Sequence, residues 1–516
     1  MRVSRRDRNK LQRLRPALGE HRCGGEVIIS FLFRPLALFS RLLDALFDPQ
    51  EERGLRWLSW LWLIGLVLAG AALWGKFLNW GNIPFDFHDW AEVNAPRLAF
   101  LRDAVLKGVL PLHMPDASAL RNITERYLAL PDVLISPQII LLRWLEVGQF
   151  IMVNTWLFYA LGVLGLLWLR RRFGLSLAAY TILFLLFNFN GHILAHYSIG
   201  HITWAGYFLF PLFAALIVQL LDGDHSWAWA ARISLLLFFM YLQGSFHQYI
   251  WAMIFLGLLA ATSWKHLLPI LKAGIFAVLL AMARLLPPTL HLGEFDSEFL
   301  GGYPTLFDVF NSMLSIKFPH ESLNVRNMLS PLGWWEYDLY LGAAGAAFLL
   351  AFGVYGWLKR RETLYPQLFL PIWGMVLLSI GRFYRLMRLL PVPIFSGERA
   401  SIRMIILPLV FLLILGTVQF QHWLNRRKPS PAEKIAWLGA ILLILHDLWQ
   451  HLKAWQVTEA FAAFPTTPVN LAIKVVANHP DPPYITLLAM GAGVSAVSLV
   501  LLLGLVWREN RLNKKG

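Results

Sequence analysis

The chain has 516 residues, 57% of them hydrophobic and 15% charged, with a formal net charge of +15. At a mean hydropathy of +0.54, this composition excludes a set of ordinary soluble domains. The lone cysteine, Cys23, excludes an intrachain disulfide and a cysteine-built metal centre, and the positive charge reads as the cytoplasmic ends of helices rather than as a nucleic-acid face.

Residues 1–55 open with Arg2, Arg5, Arg6, Arg8 and Lys10, followed by an apolar patch at 27–33. That patch is too short to span, so the segment reads as a basic cytoplasmic tail resting on anionic lipid, not as a cleavable signal. From 56 to 510, apolar stretches of roughly 18 to 25 residues recur, each long enough to cross a hydrocarbon core of about 30 Å as a helix. Barrel-type alternation is absent, and in lipid only helices or closed barrels satisfy their backbone groups. The prediction is an all-α, polytopic membrane domain of about twelve transmembrane helices. They fall near 57–79, 149–169, 175–190, 203–221, 227–243, 246–263, 267–287, 338–358, 366–383, 403–423, 435–452 and 484–507, and a short cytoplasmic tail, 511–516, follows.

Positive charge sets the orientation. With the N-terminus inside, the cytoplasmic ends carry Arg170 to Arg172, Lys265 with Lys272, Lys359 to Arg361, Arg426 to Lys428, and Arg508 to Lys515. Every even-numbered helix except the fourth leaves into a basic cluster, which predicts both termini inside. The outer loops are then about 80–148, 288–337, 385–402 and 453–483. Within the first, 96–110 and 136–145 have helical apolar spacing but are too short to span, so they are expected as interfacial helices. Long outer loops between short inner turns point to a working face outside the cytoplasm.

The first outer loop carries Phe85-Asp86-Phe87-His88-Asp89-Trp90. Two carboxylates and an imidazole there could take a proton from an acceptor hydroxyl or hold a divalent ion, while Asp89 also stands where a helix N-cap would. After the third span come Asn190, His192, His196 and His201. His192 and His196 are four apart and would share one helix face, without the HExxH arrangement of a zinc protease. With His247, in Gly244-Ser245-Phe246-His247, they are expected to line a polar cavity. A divalent cation, Mg²⁺ or Mn²⁺, at Asp86, Asp89, His192 and His196 is the candidate cofactor. Arg284 ends an apolar helix on the outer side, where Arg382, Arg385, Arg388, Arg399 and Arg403 also fall. Arginines there fit a lipid phosphate or pyrophosphate, which guanidinium groups grip bidentately, while Glu398 offers one of them a local ion pair. Glu336, among Trp334, Trp335 and Tyr337, is an acid placed to grip sugar hydroxyls, though aromatic belts alone account for the tryptophans.

In order and sidedness these motifs resemble the GT-C class of membrane glycosyltransferases, and within it the YfhO-like bacterial membrane proteins. The resemblance covers most of the chain after residue 55. It rests on Asp86 and Asp89 after the first helix, and on Lys107-Gly108-Val109-Leu110-Pro111-Leu112 in place of a "G..P.W" stretch. It continues in Gly244 to His247, in Glu336 with Tyr340-Leu341-Gly342, and in the Pro393 to Arg403 run, similar to an "F..R...R" signature. It implies transfer of a sugar from a polyprenyl-phosphate donor to a glycan, lipid or protein acceptor on the outer face of a bacterial cytoplasmic membrane. Asp86 or Asp89 would be the base, Arg284, Arg399 and Arg403 would hold the carrier phosphate, and His88, Asn190, His192, His196, His201, His247 and Glu336 would contact substrate. The loop departs from the family's plain acidic pair, and Leu112-His113 stands where Trp is usual. No Gly-rich phosphate loop or Rossmann fingerprint is present, as a lipid-borne donor requires none. The competing classes are a lipid or polysaccharide transporter or flippase, and a non-catalytic scaffold of the same shape. Repeats and midplane charges, the marks of common transporters, are missing.

Overall fold

A helix satisfies its backbone groups within one segment. In the computed structural model the described residues, 39–48, 56–114, 125–290, 300–324, 332–360, 364–389, 398–468 and 475–514, are accordingly helical, with isolated β-bridges as their extended pairing. The basic tail up to residue 38, Cys23 and 393–397 of the Pro393 to Arg403 run lie outside the described residues.

The chain is a multi-pass membrane protein. Among the described residues, eight helices are long and apolar enough to cross a bilayer, and a ninth is counted if Trp264–Leu280 and Met282–Leu290, bent by 57°, form one span. Three more apolar helices, Trp227–Leu242, Phe246–Ala260 and Pro366–Leu378, are shorter. The elements used below are α1 (Arg56–Phe77), α2 (Ala95–Lys107), α3 (Val147–Phe173), α4 (Leu177–Asn188), α5 (Gly191–Ser198), α6 (Phe210–Leu221), α7 (Trp227–Leu242), α8 (Phe246–Ala260), α9 (Trp264–Leu280), α10 (Trp334–Tyr337), α11 (Ile406–Arg427), α12 (Pro431–Trp455) and α13 (Pro482–Asn513). Of the two helices expected in the first loop, one forms, as α2. The second is a short 3-10 segment, Pro137–Arg143, because Pro137 opens it and Trp144 closes it after two turns.

Local chemistry fixes the helix ends. Glu146 and Gln149 form a capping box at the start of α3, and Gly174, left-handed at φ 58°, ends it behind three arginines that oppose the negative end of the helix dipole. Ser430, Pro431 and Glu433 start α12 in the same way. Helix ends and connecting loops gather at two ends of the bundle. At one end Arg172 and Tyr365 meet Asp222, the Ser176 amide donates to Gln421, and the Trp227 amide donates to Glu509. At the other, the loop end, the Ile135 amide donates to the Leu242 carbonyl and the Tyr303 amide to that of Ser379. The apolar stretches of Leu177–Ser198 and Ser401–Arg427 are buried, so these two spans form the axis, whereas α1 and α13 turn Trp60, Leu68, Val500 and Leu503 outward as lipid-facing helices do.

The third span is longer than expected and carries much of the site. Asn190 halts α4 and restarts the chain as α5. Its Oδ1 accepts from the Ile193 amide, while its Nδ2 donates to the Leu186 and Phe187 carbonyls and the Tyr207 hydroxyl. Asn190 is therefore an N-cap with its side chain fully used in the fold. Gly191 follows because it lies on the Asp338 carboxylate and the Tyr340 backbone, where a Cβ would overlap both, and its amide donates to the Tyr340 carbonyl at 2.8 Å. Gly191→Ala is expected to lower stability by about 1–3 kcal/mol, the cost of overpacking, and thermal unfolding in lipid reads it. An unchanged transition would disprove the contact.

Candidate functional site

The loop-end acid motif is bolted to the turn after α5. Phe87 and Trp90 point inward, Phe87 stacking on Phe464 at 6.0 Å, and Trp90 Nε1 donates to the Ser198 carbonyl at 2.9 Å. Asn94 Nδ2 donates to the carbonyls of Asp89 (2.9 Å) and Gly200 (2.6 Å). Gly200, at φ 102°, sits so close to the Trp90 amide that a Cβ would lie 2.7 Å from it. His88 adopts φ 43°, a left-handed conformation costly for a non-glycine residue, and this aims successive side chains in different directions. Asp89 precedes the π-turn Trp90–Asn94 without a side-chain capping bond; its carboxylate turns to His201 instead.

From Asp89 a continuous line of polar contacts runs into the protein. Asp89 Oδ2 lies 3.0 Å from His201 Nε2, and His201 Nδ1 lies 2.7 Å from His196 Nδ1. His196 Nε2 faces Glu336 Oε2 at 3.8 Å. Arg403 clasps Glu336 bidentately, Nε donating to Oε2 at 2.6 Å and Nη2 to Oε1. Arg403 Nη1 meets His247 Nε2 at 3.3 Å, and His247 Nδ1 faces Glu398 Oε2 at 3.1 Å. The Nη1 donor makes His247 Nε2 the acceptor, so Nδ1–H donates to Glu398. Trp204 floors the cluster, with Arg403 5.3 Å above its ring and His196 edge-on at 4.6 Å. Glu398 is buried, which on its own would raise its pKa. The hydrogen bond from His247, together with the Arg403 charge and the Ala400 amide, outweighs burial and holds it below the usual carboxylate range, so it stays a carboxylate at neutral pH.

Of the residues singled out in the sequence, Asp89, His196, His201, His247, Glu336 and Arg403 thus form one connected cluster. His192 shares a face with His196, their rings 4.4 Å apart, and is buried with Nδ1 unbonded. His88 stands at the rim, edge-on to Trp335 at 4.9 Å. Others lie apart. Asp86 belongs to the loop packing, where its carbonyl accepts from the Thr467 amide. Arg284 donates to the carbonyls of Val133 (3.2 Å) and Leu130 (2.6 Å), with Tyr241 beneath it, so it ties the first loop to the end of the bent span rather than facing the cluster. Arg399 is exposed, and its carbonyl accepts from the Gly301 amide.

A second buried pair is not evident from the sequence. His451 Nε2 lies 2.8 Å from Asp338 Oδ2, and both side chains are fully buried. Trp334 Nε1 and the Tyr340 amide donate to the same carboxylate at 3.2 and 2.9 Å, which locks α10, and with it Glu336, against α12. The one signal is Asp338 two places after Glu336; His451 stands in an apolar helix with nothing to mark it.

The loops that carry His113 and Asp481 are clasped over this end. Asn478 Oδ1 accepts from the Leu112 and His113 amides at 3.1 and 3.2 Å, and Asp481 takes both Arg126 (2.6 and 3.1 Å) and His113 (3.3 Å). Burial would raise the Asp481 carboxyl, but the hydrogen bonds from Arg126 and His113 hold it below its usual range. Burial, with His479 alongside, keeps His113 below its usual range too. The undocked loops therefore bind protons more readily than the docked ones. The clasp is complete above the ordinary histidine value of 6.5, weakens as His113 is asked to charge, and weakens again below the ordinary carboxylate value of 3.8. Amide hydrogen exchange at 110–114 and 475–481 is expected to quicken between about pH 7.5 and about pH 5 after correction for the intrinsic rate. Corrected rates that stay flat would contradict the clasp.

Comparison of the chain with protein-family models, with curated proteins and with solved structures finds no match.

Proposed function

We propose that the chain is an integral membrane glycosyltransferase with a GT-C-like fold of about twelve spans, moving a sugar from a polyprenyl-phosphate donor to an acceptor on the outer face of a bacterial cytoplasmic membrane. The observation that carries this reading is the Asp89 to Glu398 line of acids, imidazoles and one arginine at the loop end, where hydrocarbon gives way to water. A polyprenyl phosphate leaves readily, so transfer needs a base for the acceptor hydroxyl, positioning, and stabilisation of the departing anion. Asp89 is the base: His201 orients it, and it sits beside rim aromatics, His88 and Trp335, suited to a sugar. As the acceptor oxygen bonds to the anomeric carbon and the phosphate departs, the hydroxyl proton passes to Asp89. Arg403, through Nη1, and Arg399 beside Glu398 hold the phosphate; Arg284, occupied by carbonyls, does not. An apolar groove of about 350 Å³ between α1, α4 and α12, lined by Leu73, Leu185, Leu442 and Leu452, supports a lipid-borne donor. Lys76 and Lys453 flank Trp449 there, 4.6 and 6.0 Å from its ring.

The test supplies radiolabelled polyprenyl-phosphate sugars to purified full-length protein in lipid. Donor consumption that Asp89→Asn abolishes is the expected result. No consumption across a panel of sugars, or full transfer by Asp89→Asn, would overturn the reading.

A further inference from the structure

We propose that His196, His201 and Glu336 bind one divalent first-row transition ion, zinc foremost, with Asp89 and Arg403 holding the ligands from behind. One donor atom from each of the three ligands lies within 4.8 Å of the others. This goes beyond sugar transfer, because the site is defined by its donors and stands whether or not the chain is a transferase.

Following the hydrogens along the line leads to the ion. Asp89 accepts from His201 Nε2–H, which leaves His201 Nδ1 a lone pair; without an ion that lone pair takes the hydrogen of His196 Nδ1 at 2.7 Å, and on metal binding it turns to the ion instead. His196 Nε2 is then also a bare lone pair. It is buried, it has no hydrogen-bond partner, and it points at Glu336 Oε2 across 3.8 Å. Two electron-pair donors thus face each other in a wholly buried place, at a distance too long for a hydrogen bond. Two metal–ligand bonds of about 2.0–2.2 Å bridge such a gap at an open angle.

The donor chemistry selects the ion. Two imidazoles and a carboxylate are a zinc set that leaves a coordination position for water or substrate. Magnesium and calcium prefer all-oxygen shells. The surroundings are those of a metal site: Asp89 fixes the tautomer of His201, and Arg403 hydrogen-bonds both oxygens of Glu336, the outer contacts that orient ligands and tune affinity. Of the four metal candidates read from the sequence, His196 alone is a ligand; Asp89 moves to the outer ring, and Asp86 and His192 are not used.

The test needs no sugar donor. Tag-free, full-length protein in lipid nanodiscs is stripped with chelator, equilibrated with zinc, and assayed for retained metal; Co²⁺ is loaded in parallel for its visible spectrum. We expect one zinc retained in the presence of excess Mg²⁺, visible Co²⁺ bands of a nitrogen-ligated ion, and loss of both in His196→Gln and His201→Gln. Asp89→Asn should weaken affinity about 10–100-fold. No retained zinc in the wild type, or equal retention in both histidine variants, overturns the proposal. Should the variants not fold, the wild-type Co²⁺ spectrum decides alone, since featureless or all-oxygen bands overturn it.

Discussion

Arg403→Met is expected to cost about 3–5 kcal/mol of stability, the penalty for leaving a buried carboxylate without its partner. Glu336 is 3% exposed and receives both of its strong donors from this one guanidinium. Methionine keeps the length and the apolar stem over Trp204 but removes the charge. Two well-packed neutral groups can be nearly as stable as the ion pair they replace, so Arg403→Met with Glu336→Gln should recover most of the loss. Thermal unfolding in lipid of the two single variants and the double gives the coupling energy. Additive losses would mean that the pair is not a unit, and that Arg403 is held mainly by Trp204 and His247.

Asp89→Asn is expected to lower transfer by about 10²–10⁴-fold, the range for removing a general base, with little loss of stability, because asparagine can still accept from His201. Asp86→Asn should stay close to the wild type, since Asp86 serves the loop packing through its backbone carbonyl. The two acids are three residues apart and chemically identical, so the contrast separates a base from a general need for negative charge in this loop. Steady-state rates with a labelled donor read the contrast, and equal losses in both variants would refute the assignment to Asp89.

Which residues meet was partly legible beforehand. The i, i+4 spacing of His192 and His196 placed both rings on one face because α5 is a helix, and Glu336 was recognisable as an acid among indoles at the head of a span. Arg284 is ambiguous in sequence, because a cation at an apolar helix end looks the same whether it meets a phosphate or two backbone carbonyls. Asp89 fitted an N-cap equally well, and only the twist at His88 and the Asn94 bridge turn it to His201. The Asp338–His451 pair was invisible, since its partners are 113 residues apart and neither sits in a recognisable spacing.

The sequence by itself determined that this is a helical, multi-pass membrane protein and which of its stretches are apolar enough to span, but not the number of spans. Those properties follow from hydrophobic length and from the cost of unpaired backbone and charge in lipid, and both are local. The tertiary structure decided which carboxylate meets which imidazole, that Arg403 rather than Arg284 belongs to the cluster, and that Asn190 caps a helix. Those outcomes depend on helix breaks and loop docking between segments far apart in the chain, where a tilt of one turn changes a hydrogen-bond partner and leaves the composition unaltered.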